Sequence, residues 1–94
     1  QTDAAALMVD QACRLFDAGE ACGSEANMSK LLAADASWAA ADMCLQTHGG
    51  YGFTVEYDVE RKFRETRLYQ VAPISTNLIL SNIATHVLGL HKSF

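Results

Sequence analysis

About twenty residues of alanine-rich, helix-periodic sequence run without interruption into Gly49, Gly50 and Gly52, and a densely charged segment follows at once. Glycine reaches positive φ freely and lets a neighbour approach the bare backbone. The junction therefore reads as a helix end built to sit against something, with the Gly49–Gly50 pair as its left-handed exit. A helix of that length with small residues on several faces also limits the fold. The rest of the chain agrees with it: one proline, scattered rather than alternating β-branched residues, and further glycines at Gly19, Gly23 and Gly89, where helical patterns stop. Half of the 94 residues are apolar. That is enough for a single compact all-α domain with its own core.

The periodicity predicts a helical bundle of about four helices. The first runs from about Asp3 to Ala18, with Ala5, Met8, Val9, Ala12, Leu15 and Phe16 on one face. Ser24 is a suitable cap for the second, in which Met28, Leu31, Leu32, Trp38, Met43 and Leu45 alternate with alanines. Lys30, Asp35 and Asp42 are nearly its only charges, so this helix belongs at the centre of the bundle. Asp58 is suited to cap a third helix that ends before Pro73, since proline disfavours helical backbone at the residue preceding it. A fourth begins at Ser75 or Thr76 and stops at Gly89. Trp38 and Phe63 read as core residues.

A formal net charge of −4 argues against nucleic acid as the main partner, because phosphate binding requires a basic face. No apolar run is long enough for a membrane span. Cys13, Cys22 and Cys44 are odd in number and lack metal-type spacing, so free thiols in a reducing, cytoplasmic setting are expected. The pattern is already helical near residue 4 and the first residue is Gln1, which reads as a start inside a larger protein.

Residues 46 to 73, QTHGGYGFTVEYDVERKFRETRLYQVAP, closely resemble the C-terminal helical domain of the acyl-CoA dehydrogenases, whose pattern is Gln, two residues, Gly-Gly, then Gly, Glu-Tyr, Glu-Arg and Arg-Asp. An ordinary glycine cap would account for Gln46, Gly49 and Gly50 by spacing alone. The resemblance implies more: the matching residues in that family line the FAD of a neighbouring subunit, so the site would be completed across an oligomer interface. The segment from Tyr69 to Asn77 falls where the family commonly has Tyr-Gln-Ile-Tyr-Glu-Gly-Thr-x-Gln. Aligned without a gap, Ser75 and Asn77 fall on a threonine and a glutamine that contact FAD, although a plain N-cap explains them equally well on sequence alone.

Pro73 is the departure. It stands where many members carry the glutamate that removes the substrate α-proton, and no Asp or Glu follows Glu65. Some members place that base on an earlier helix, outside this sequence. Arg61, Arg64 and Arg67 could bind a substrate phosphate, but with Glu60 and Glu65 at spacings of three and four they read as surface ion pairs. Cys44 and His48 stand four apart and could hold zinc, yet two further ligands are not placed, so no metal is expected.

The resemblance implies that residues 1–94 are a partial C-terminal bundle of an FAD-dependent acyl-CoA dehydrogenase. Such an enzyme takes an acyl-CoA substrate, passes electrons to an electron-transfer flavoprotein, and assembles as a homo-oligomer, a dimer or tetramer; the chain by itself would be inactive. The alternatives are a non-catalytic helical oligomerisation module and an acyl-CoA oxidase-like flavoenzyme.

Overall fold

A computed structural model describes residues 1–92. The chain forms helices α1 (Thr2–Asp17), α2 (Gly23–His48), α3 (Val59–Val71) and α4 (Thr76–His86), with two short 3-10 turns, Gly49–Phe53 and Val55–Tyr57, between α2 and α3. No strand occurs among the described residues. The all-α bundle expected from periodicity is the fold.

Two caps differ from expectation. Helix α2 begins at Gly23 with Cys22 at its N-cap and no side-chain capping bond, so Ser24 lies inside the first turn. The reversal out of α1 is short, and it brings the chain into helical geometry one residue before the hydroxyl. Asp58 does occupy the N-cap of α3, but its backbone is left-handed, at φ 59°, and its side chain makes no capping bond. Its carboxylate turns to Arg61 Nε, 3.1 Å away, because a charged partner one turn along outcompetes a neutral amide.

Helices α1, α3 and α4 all pack on α2, which at 1.5 Å per residue is about 39 Å long. Its alanines permit this, since small side chains bring neighbouring helices close on more than one side. The result is a layer and not the compact domain expected from length and composition. The extents are 46 × 34 × 19 Å, and the radius of gyration of 16.1 Å exceeds the roughly 12 Å of a compact domain of this length. Among the described residues, only Ala5, Ala34, Val59 and Ile79 are buried hydrophobic residues. Trp38 and Phe63, expected in the core, are half-buried; their rings lie 4.5 Å apart, and the Arg67 guanidinium covers the indole at 5.3 Å.

Polar side chains join the layer where apolar area is scarce. Buried Gln70, on the last turn of α3, donates from Nε2 to Asp35 Oδ1 of α2 at 3.0 Å. Its Oε1 accepts from Thr76 Oγ1 of α4 at 2.7 Å, and Thr76 also lies 3.1 Å from the Gln70 carbonyl. One amide thus ties three helices. Between α2 and α4, Asn27 donates to Asn82 Oδ1 at 3.1 Å.

Replacing Gln70 by leucine keeps bulk but removes the amide's bonds to Asp35 and Thr76, leaving the Thr76 hydroxyl only the residue-70 carbonyl, so unfolding free energy should fall by about 1–3 kcal/mol. Denaturant titration should show the midpoint shift without a change of slope, and combining it with Thr76→Val should give less than the sum of the single effects.

Candidate functional site

The end of α2 is built by glycines with three separate jobs. Gly49 is the helix cap, with φ 57° and an N–H directed at the Gln46 and Leu45 carbonyls. Gly52 is buried, and a Cβ there would lie 2.8 Å from Leu45 Cδ1 and 3.1 Å from the Leu45 carbonyl oxygen. Gly50 has neither constraint: its φ is not positive, and a Cβ would meet nothing within 4 Å. The left-handed exit thus belongs to Gly49 alone, because one residue suffices to turn the chain into the 3-10 segment. Gly52, whose close packing holds that segment onto α2, was not separable from its neighbours by sequence.

Around Gly50 the surface is open. Gln46 is exposed and its amide makes no hydrogen bond among the described residues. Tyr51, Phe53 and Val55 are 68, 71 and 78% exposed, and Tyr51 packs beside Tyr57 at 5.7 Å. Asp42, Leu45, Gln46, Gly49 and Phe53 line a recess of about 130 Å³. A free amide, bare glycine backbone and aromatic faces suit part of a flavin dinucleotide: the amide can donate and accept, and the rings offer stacking surface. The recess is too small for the whole molecule, so these residues fit as one wall of its site.

The second set of predicted residues lies elsewhere. Ser75 is the N-cap of α4, its Oγ accepting from the Leu78 N–H at 3.4 Å, while the exposed Asn77 side chain makes no hydrogen bond among the described residues. The loop before them is held by Lys30 of α2, whose Nζ donates to the Tyr69 carbonyl and, at 2.8 Å, to that of Ile74. Lys30, Tyr69, Ala72 and Pro73 line an apolar cavity of about 400 Å³ with Ala33, Ala34 and Ser37. Lys30 and Asp35 anchor this loop 16 and 11 residues before Gln46, or about 17–24 Å along α2. The structure does not bring Gln46, Gly49 and Gly50 together with Ser75 and Asn77 in one chain.

Other candidates resolve into local chemistry. Arg61 bridges Asp58 at 3.1 Å and Glu65 at 2.6 Å, and Arg64 pairs with Glu60 at 2.9 Å. Arg67 departs from the expected pattern: no acidic residue stands three or four positions from it on α3, and its guanidinium lies over the Trp38 ring instead. Hydrogen bonding to Arg61 holds the Asp58 and Glu65 carboxyls below their usual range, and the bonds from both raise Arg61 in turn. Cys44 Sγ lies 3.7 Å from His48 Nδ1, which is itself 2.9 Å from the Cys44 carbonyl oxygen. No group of three or more potential metal ligands from His, Cys, Asp and Glu occurs among the described residues. Cys13, Cys22 and Cys44 are free thiols. No helix is long and apolar enough to cross a membrane among the described residues. His86 ends α4 and is exposed, about 16 Å from Ser75 along the helix.

Lys30, Asp35, Gln70 and Thr76 were not singled out as site-forming residues. A signal existed for the first two, as rare charges in an otherwise weakly polar helix; Gln70 lay in the segment resembling the family's Tyr-Gln motif and Thr76 at a helix start, but neither feature marked them as partners of each other.

The family model described as acyl-CoA dehydrogenase, C-terminal domain, matches residues 1–88. An acyl-CoA dehydrogenase of Mycobacterium tuberculosis is 40% identical over 100% of this chain and 25% of its own length. The short/branched chain specific acyl-CoA dehydrogenase of Rattus norvegicus mitochondria is 33% identical over 93% of this chain and 20% of its own. Among solved structures, one from work on the electron transferring flavoprotein of Acidaminococcus fermentans superposes with a TM-score of 0.86 at 28% identity, covering 92% of this chain and 23% of that one. The chain spans about a quarter of the length of these relatives.

The three glycines should separate under substitution. Gly52→Ala forces a Cβ against backbone and should destabilise by about 1–3 kcal/mol. Gly50→Ala should be neutral or stabilising by up to about 1 kcal/mol. Thermal unfolding of both variants checks this. The ion pairs of α3 carry a pH dependence of definite sign: because the Asp58 and Glu65 carboxyls are lowered in the fold, their contribution is present above the ordinary carboxylate range near 4 and is lost as pH falls through the lowered values. An Asp58→Asn, Glu65→Gln double variant should flatten the acid limb of a stability–pH curve, and more weakly at high salt.

Proposed function

The chain belongs to the acyl-CoA dehydrogenase family, matching its C-terminal domain, and from that premise we propose that the full-length protein oxidises the Cα–Cβ bond of an acyl-CoA thioester with FAD. When bound, FAD supplies the acceptor for the β-hydride. Gln46, Gly49 and Gly50 form one wall of the cofactor site and serve the flavin of a neighbouring subunit, while Ser75 and Asn77 meet cofactor at a separate point of the assembly. The observation that carries this reading is Gly50: the fold of the chain itself places no demand for glycine there, and its open, unstrained backbone lies beside a free amide and exposed aromatic rings. Apolar side chains at 70% exposure or more, such as Phe16, Met43 and Phe53, support a homo-oligomer, dimer or tetramer, that covers them. The same family reading makes an electron-transfer flavoprotein the electron acceptor.

Proton abstraction requires a positioned acceptor, and Pro73 has none. His86 lies several turns from the loop. We assign the base to a carboxylate on a preceding helix of the full-length protein, with Pro73 and Ala72 shaping an apolar wall.

In the full-length protein, Gly50→Val should lower flavin content after purification while helix content stays normal; wild-type flavin occupancy would defeat the proposal. Pro73→Ala should leave flavin bleaching by acyl-CoA intact, whereas neutralising the base carboxylate should slow it about 10²–10⁴-fold. Loss of bleaching in a His86 or His91 variant that retains FAD would reverse the assignment of the base.

A further inference from the structure

The loop that carries Pro73 and leads into Ser75 and Asn77 is short and largely exposed, yet it is held at three points. Tyr69 lies in the last turn of α3, where carbonyl groups have no partner within the helix. Lys30 Nζ supplies one, and its charge also favours the negative end of the helix dipole. The same ammonium reaches the carbonyl of Ile74, one residue before Ser75. Gln70 and Thr76, on either side of the loop, are joined directly, and Gln70 is fixed in turn by Asp35. A residue on the central helix therefore determines where the start of α4 stands.

Lys30 does not face solvent like the other lysine on this side, Lys62, which is exposed and pairs with Glu65 at 3.5 Å. It is half-buried, with its stem along the wall of the apolar cavity beside Pro73. Building a charged group there is costly unless its hydrogen bonds are made. Two carbonyl acceptors from different elements meet that need only when the loop has this path.

We propose that Lys30 is a positioning residue for the cofactor- and substrate-facing loop, acting with the Asp35–Gln70–Thr76 chain to set Ser75 and Asn77 at their contact distance. The assignment rests on the proposed flavin site. Lys30 touches no ligand; it fixes the backbone that does.

The test is FAD binding by the full-length protein, titrated below the unfolding transition, with visible circular dichroism of the flavin as a second readout. Lys30→Met should weaken FAD binding about tenfold or more and change the flavin dichroism, the scale of effect known when groups that orient a ligand-contacting residue are removed. Lys30→Arg, which keeps charge and donors, should restore most of both, and Lys62→Met should alter neither. Wild-type affinity and dichroism in Lys30→Met would overturn the assignment while leaving the proposed function standing. Absence of FAD binding by the wild-type protein would overturn both. Loss of the folded state in Lys30→Met and Lys30→Gln alike would make Lys30 a residue of the bundle's stability and overturn the positioning role.

Discussion

The buried amide of Gln70 is the constraint on which the arrangement of this chain depends. It satisfies Asp35 on one side and Thr76 on the other, so the ends of α3 and α4 are located by hydrogen bonds to the central helix. A thin layer has few other means. With only four hydrophobic residues buried among those described, burial energy alone would let α3 and α4 slide or splay, whereas directional bonds favour one register. Lys30 adds a charge-assisted contact one turn away, and the loop between the helices inherits its path from both.

The layered shape and the exposed apolar residues have one cause. Helix α2 is rich in alanine, which allows close approach but brings little area to bury, and its larger apolar residues point in several directions. Helices α1, α3 and α4 cover part of it; the outer faces retain Leu7, Phe16, Met43 and Phe53 at 70% exposure or more. At the α2 exit, Gly49 and Gly52 are explained by the chain's own geometry, whereas nothing in that geometry calls for glycine at position 50.

Much of the fold was legible because its signals are local. Apolar spacing of three and four marked each helix within a residue or two, Pro73 ended α3, and Ser75 capped α4 as its chemistry suggests. Ser24 and Asp58 show the limit of such reasoning: capping residues compete with the path of the incoming chain and with charged partners, and neither competitor is visible in a spacing rule. Arg67 shows the limit of grouping by charge: no acidic residue stands three or four positions from it on α3, and it finds Trp38 across the helix interface. The predicted site residues were recognisable as chemistry, but their division into two regions, with the loop's anchors Lys30 and Asp35 about 17–24 Å along α2 from Gln46, follows from the length of α2 and the point at which α3 folds back.

By itself, the sequence determined that this protein is helical, where its helices stop, and which segment resembles a flavoenzyme domain, because backbone preference and periodicity act over a few residues. Tertiary structure decided which glycine bears which constraint, that Lys30, Asp35, Gln70 and Thr76 form one polar assembly, and that the bundle is open and flat. Those outcomes depend on contacts between residues 6 to 44 positions apart, for which hydrogen-bond geometry and close packing, rather than local propensity, choose the partner.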